Sequence, residues 1–177
     1  MKRFFLGMVV GIILVPAALI LYLTSGHAPA ATADAPLPFE RLIAKTALHA
    51  KIRKEMPTSV PMEANEAVYL AGARVYRENC SMCHALPGQA APAAAKGMFP
   101  PPPQLLQKDE MVTDDPPGET FWKAKNGIRL TGMPGFGSSL STQQIWQVSL
   151  LLANADKLPP SVQQALASPS TAAQAPK

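Results

Sequence analysis

At 177 residues with a formal charge of +4, the chain is long enough for one domain with appendages and too short for two of ordinary size. Aromatic residues make up only 6% of it, beside 11 glycines and 19 prolines, so side chains alone would build a thin core and a non-protein group is expected to complete it. The charge is lopsided: up to Pro57 seven basic residues meet three acidic ones, and from Thr58 onward nine meet nine, which excludes the single-faced basic footprint of a nucleic-acid binder.

Phe4 to Leu23 forms a charge-free run of 20 residues, which at the helical rise spans about 30 Å, the thickness of a hydrocarbon core. Lys2 and Arg3 precede it and the next basic residue is Arg41, so the positive-inside bias keeps the N-terminus in the cytoplasm. The chain is then expected in the cytoplasmic membrane as a single-pass protein, with everything after residue 26 on the periplasmic, outer side. The competing reading is a cleaved signal peptide, because Ala28-Pro29-Ala30 and Ala31-Thr32-Ala33 both fit a small-x-small site; the length of the apolar run favours retention. Either outcome exports the rest.

His27 to Pro38 is rich in Ala and Pro and reads as a semi-extended linker. In FERLIAKTALHAKIRKEMP the apolar residues Phe39, Leu42, Ile43, Ala47 and Ala50 recur near helical spacing, which predicts an amphipathic helix ended by Pro57. Its other face carries Lys45, Lys51, Arg53 and Lys54. That face is either simply solvated, with the helix packed on the following domain, or a surface for anionic headgroups or a partner subunit. Linker and helix together make a segment over residues 27–63.

The period of Val68, Ala71, Val75 and Tyr76 predicts a second helix over 64–79. Next come an Ala/Pro-rich loop over 87–92, the proline run 100–103 and a short helical stretch near Leu105 and Leu106. Thr113 to Pro116 reads as a helix start before residues 119–126, with Gly127 as the stop. A last helix is expected from the Ser141 cap through Ile145, Trp146, Val148, Leu151 and Leu152 to about Asp156. Residues 64–158 thus form the domain, and the Ala/Ser/Gln/Pro tail over 159–177 is expected to be disordered. With no strand alternation or internal repeat, the fold class is all-α.

Cys80-Ser81-Met82-Cys83-His84 contains both cysteines of the chain. Two thiols separated by two residues on a helical turn match the spacing of the two haem vinyl groups, and the residue after the second Cys is held under the iron, where an imidazole can ligate it. The cofactor implied is one haem c, covalently bound through Cys80 and Cys83. A thioredoxin-like pair would want a strand–helix–strand context, and a structural zinc site would need further ligands, whereas only His27 and His49 remain, both far upstream; chance occurrence is the third competitor.

For the second axial ligand the candidate is Met133, in Thr131-Gly132-Met133-Pro134-Gly135-Phe136-Gly137, where glycines and a proline suit a tight loop that delivers a thioether. Met62, Met82, Met98 and Met111 read as core filler or exposed residues, and His49 is the alternative ligand. His84 with Met133 as the metal ligands would raise the potential and leave no open position, favouring outer-sphere electron transfer over bond-making catalysis.

Over 64–158 these residues resemble a class I cytochrome c. Gly72 and Tyr76 stand eight and four residues before Cys80, as do the family's helix-crossing glycine and aromatic, which pack on the C-terminal helix. Pro103-Gln104-Leu105 resembles the family's P-x-L segment, which implies that the Pro103 carbonyl accepts from His84 Nδ1 and that Leu105 packs on the haem. GIRLTGMPGFG followed by LSTQQIWQ resembles the Met-ligand loop and final helix of bacterial membrane-attached members, with Thr131 and Arg129 near a propionate and Trp122 and Trp146 as core aromatics beside the haem. Two departures stand out: Leu151 occupies a position that is commonly Tyr or Phe, and the segment between His84 and Pro103 is longer than in compact members.

The resemblance implies a monohaem electron-transfer protein rather than an enzyme, a tethered one-electron carrier working with redox partner proteins at the membrane. The alternatives are a fixed subunit of a membrane dehydrogenase or respiratory complex and, third, a ligand-binding haem sensor or enzyme in which Met133 leaves the iron.

Overall fold

Helices supply the regular structure in this computed structural model, which describes residues 1–167; no strand occurs among the described residues. The helices are α1 (Lys2–Thr24), α2 (Glu40–Glu55), α3 (Glu66–Asn79), α4 (Ser81–His84), α5 (Ala93–Lys96), α6 (Pro117–Asn126), α7 (Thr142–Ala153) and α8 (Pro160–Ala167). The chain divides into two units, Met1–Arg41 and the part from Leu42 onward.

In the first unit, α1 contains Pro16 and is by length and composition able to cross a membrane. In the segment after it, the Asp34 carboxylate accepts from the Ala30 and Ala31 amides at 2.8 Å each, which closes a turn and lowers the carboxyl pKa.

The second unit is built on the crossing of α3 and α7. α3 starts where Asn65 caps it, its side chain accepting from Val68 N at 3.1 Å, and α7 starts in a capping box in which Ser141 and Gln144 each accept from the other's amide. At the crossing a β-carbon on Gly72 would lie 2.3 Å from the Gln147 carbonyl oxygen and 3.1 Å from Leu151 Cβ. The helices therefore meet backbone to backbone, with the fully buried Leu151 packed beside the contact. Tyr76, Val148, Leu152 and Leu158 continue this core, and a second cluster forms where Phe121 of α6 stacks on Trp146 of α7, ring centroids 4.2 Å apart.

Four expectations change. First, the α2 stripe of Phe39, Leu42, Ile43, Ala47 and Ala50 is exposed, and the buried side chain is Ile52 at 1% exposure, with Leu48 and Met56 half-buried beside it. The cause is that α2 is held to the domain at its C-terminal end, where Trp122 Nε1 donates to Glu55 Oε2 at 3.2 Å and the Pro57 carbonyl abuts Gly118. Positions 48, 52 and 56 lie four apart and so share a face. Second, α8 stands within the tail expected to be disordered. Its Val162 and Leu166, also four apart, are buried in the main core against α3, while Arg77 donates to the Ala165 carbonyl at 3.1 Å; residues 168–177 of that tail lie outside the described residues.

Third, residues 105 and 106 form turns rather than helix: the bonds that form, Gln107 N to Gln104 O and Glu110 N to Gln107 O, join residues three apart rather than four, the pattern of isolated turns. Fourth, α6 begins at Pro117 without a side-chain cap, so Thr113, Asp114 and Asp115 do not serve in that role. Its end is at Gly127 as the sequence suggests, with φ of +70°.

Candidate functional site

The cysteine motif occupies the turn that follows α3. Cys80 N donates to Tyr76 O at 2.8 Å as the last bond of α3, and then Cys83 N and His84 N both donate to Cys80 O, at 3.1 and 2.9 Å. This winds residues 81–84 into the single turn α4, with both thiols free and one turn apart. Two neighbours lock the turn. Tyr76 Oη donates to the carbonyls of His84 and Ala85, at 3.1 and 2.9 Å, and Ser81 Oγ donates to Arg77 O at 2.7 Å. Ala85 leaves the turn at φ of +55°, a strained conformation for a residue with a side chain, which the buried Tyr76 hydroxyl helps to hold.

His84 is buried, 8% exposed, and its Nδ1 lies 2.6 Å from the Pro103 carbonyl. A carbonyl can only accept, so Nδ1 carries the proton and Nε2 of the neutral ring carries the lone pair. Burial lowers the ring's pKa, against the opposing pull of that hydrogen bond, and so favours this neutral, ligating form. Burial, with Cys83 adding, pushes the Cys80 thiol up to about 12, the reverse of the depressed thiol of a dithiol redox catalyst. No cluster of three His, Cys, Asp or Glu residues able to hold a metal ion occurs among the described residues. Two free thiols one turn apart beside an oriented neutral imidazole are the donor set that covalent haem attachment requires.

Pro103 is exposed apart from its carbonyl contact, and Leu105 is half-buried against the main core. The loop after Gly127 is a closed hairpin-like turn. Ile128 N donates to Met133 O at 3.1 Å, Phe136 N to Ala124 O at 2.9 Å and Gly137 N to Lys125 O at 3.0 Å. A β-carbon on Gly127 would meet Met133 O at 2.8 Å and Gly135 N at 2.6 Å, so only glycine allows the two limbs to close.

Thr131 Oγ1 donates to Ile128 O at 2.7 Å and accepts from Met133 N at 3.1 Å, so its hydroxyl is engaged in setting the backbone of Met133. Met133 is half-buried, Arg129 is exposed, and His49 is exposed on α2. Sequence reasoning missed Met98: a β-carbon on Gly132 would lie 2.7 Å from its sulfur, so the thioether of Met98 packs on the residue next to Met133. It missed the Trp122–Glu55 bond as well. A methionine in an Ala/Pro-rich loop gives no periodic signal that would have singled it out.

Residues 65–150 match the family model described as cytochrome C oxidase, cbb3-type, subunit III. Among solved structures, the chain is similar to a chain of the Kuenenia stuttgartiensis reducing HAO-like protein complex, at 21% identity and a TM-score of 0.48, over 57% of this chain and 49% of that one. The match therefore spans about half the length of that solved chain. No curated protein matches the chain.

Proposed function

Since residues 65–150 form a class I c-type cytochrome domain, an electron-transfer haem module, we propose that the chain is a membrane-tethered one-electron carrier with its haem domain on the outer side of the cytoplasmic membrane. The observation that carries the reading is the buried His84 with Nδ1 bound to the Pro103 carbonyl, which presets the tautomer and plane of an iron-ligating imidazole. Cys80 and Cys83 would hold the group covalently, and His84 with Met133 would ligate its iron. When bound, haem c supplies an iron that takes up and gives back a single electron. The protein's part is to keep both ligands in place in either state, so that little reorganises during transfer. His84 is fixed through Pro103 and Tyr76, and Met133 through Thr131 and the closed limbs of its loop. Leu105 would pack on the group.

Residues 1–26 would be the anchor, 27–63 the connecting segment and 64–158 the haem domain. The basic residues before α1 support an N-terminus in the cytoplasm. The test is to mature the full chain in an exporting cell and titrate it beside Met133→Ala. The expected result is a pigment that resists acidified organic solvent, with a potential that falls when Met133 is removed. An extractable pigment would refute the thioether attachment, and a spectrum and potential untouched by Met133→Ala would remove Met133 from the iron.

A fixed subunit of a respiratory complex is the second reading, favoured by the description of the matching family as an oxidase subunit. Purification in mild detergent separates the two, because a mobile carrier elutes alone and a fixed subunit brings its complex with it.

A further inference from the structure

The outward face of α2 has no role in the haem site, yet it exposes two adjacent large apolar side chains. Leu42 and Ile43 are 63% and 67% exposed. At 3.6 residues per turn, Leu42, Ile43, Ala47, Ala50, Arg53 and Lys54 fall within about 140° of arc, so Arg53 and Lys54 share the apolar face instead of lying opposite it as the sequence reading had them; all are exposed, and the other side of the helix carries the buried Ile52 and the half-buried Leu48 and Met56. The arc is graded along the helix: apart from Thr46, apolar residues come first and two cations last, with no acidic residue among them.

We propose that this face of α2 lies on an anionic phospholipid surface, Leu42 and Ile43 entering the headgroup boundary and Arg53 and Lys54 meeting lipid phosphates. The proposal rests on the membrane-anchored reading above. Three features select lipid as the occupant. Apolar side chains followed on the same face by cations suit a helix lying in a membrane interface. The positive charge is complementary to anionic headgroups. The chain itself brings the surface near, since only 15 residues separate α1 from α2, so a bilayer holding α1 is offered to α2 at high effective concentration and weak intrinsic affinity suffices. Docking there would limit the freedom of the haem domain that follows α2.

The test uses the matured full chain in lipid discs, with and without a phosphatidylglycerol fraction. A nitroxide on Ala47→Cys reports its relative accessibility to oxygen and to a polar nickel chelate. The expected result is a label that favours oxygen in the anionic discs. Arg53→Gln with Lys54→Gln should weaken the lipid-bound state about fivefold per residue, and Leu42→Gln with Ile43→Gln should abolish it, with haem absorption and helix content unchanged. A label that stays open to the nickel chelate while the protein remains in the disc would overturn the proposal, as would a label shielded only after a partner protein is added. Mass spectrometry keeps the haem reading separate: one nitroxide per chain means Cys80 and Cys83 are occupied, and three means that they are not.

Discussion

Gly72→Ala sets two effects of known sign against each other. In an unconstrained helix interior the change stabilises by about 1 kcal/mol, because glycine is the poorer helix former. Here the added methyl would sit 2.3 Å from the Gln147 carbonyl oxygen, where an ordinary carbon–oxygen contact is about 3.3 Å. The obstacle is backbone of α7, which cannot rotate aside as a side chain would, so α3 and α7 must separate by about 1 Å at their crossing. Overpacking of this kind costs roughly 1–3 kcal/mol, and a rigid neighbour puts it at the upper end, so the net loss is about 2 kcal/mol. For a unit of this size each kcal/mol moves the midpoint by about 3–6 °C, which gives a fall of about 6–12 °C. Circular dichroism melts of the haem-loaded wild type and variant measure it. Leu151→Ala added to Gly72→Ala should not restore the midpoint, because the closest atom belongs to Gln147. A single variant that melts at or above the wild type would refute the close crossing.

Tyr76→Phe leaves the buried carbonyls of His84 and Ala85 without their hydroxyl donor and should cost about 1–3 kcal/mol, read as a lower urea midpoint at unchanged slope; an unmoved midpoint would sink the locking role. Thr131→Val should loosen the loop and let carbon monoxide reach the reduced protein, whereas Thr131→Ser, which keeps both hydrogen bonds, should not; equal binding in the two variants counts against the assigned role. Leu166→Ala should cost about 2–4 kcal/mol if α8 belongs to the core, and a neutral result in the same denaturation assay would return α8 to the tail. The Glu55 carboxyl is held below its ordinary value, chiefly by Lys51 and secondarily by Trp122, so its contribution is present above the unfolded carboxylate range and is lost as pH falls through the lower folded value. The midpoint of wild type should therefore drop more steeply on acidification than that of Glu55→Gln, and parallel curves would contradict the contact.

How much could be read in advance depended on how local each feature is. The thiols and imidazole of residues 80–84 were legible because their spacing is fixed within one turn, whatever surrounds them. α3 and α7 were legible because a 3.6-residue apolar period coincides with caps at Asn65 and Ser141, and Gly127 ended α6 because its φ of +70° suits glycine. Gly72, Tyr76 and Pro103 were placed by family resemblance, and the structure gives each a contact: the Gln147 carbonyl, the His84 and Ala85 carbonyls, and His84 Nδ1.

Where sequence reading went astray, a partner surface made the decision. α2 carries two apolar stripes, and periodicity cannot say which is buried; Trp122 and Gly118 engage Glu55 and Pro57, and this docking turns Ile52 inward and leaves Leu42 and Ile43 outside. α8 looks like tail by composition, yet Val162 and Leu166 find a groove on α3 that no count of Ala and Ser reveals. The sequence alone therefore determined the spacing of the thiols and imidazole in residues 80–84 and the existence of the main helices, since short spacings fix both. Tertiary structure decided which helix faces are covered and which distant carbonyl orients His84, because those depend on surfaces assembled from residues far apart along the chain.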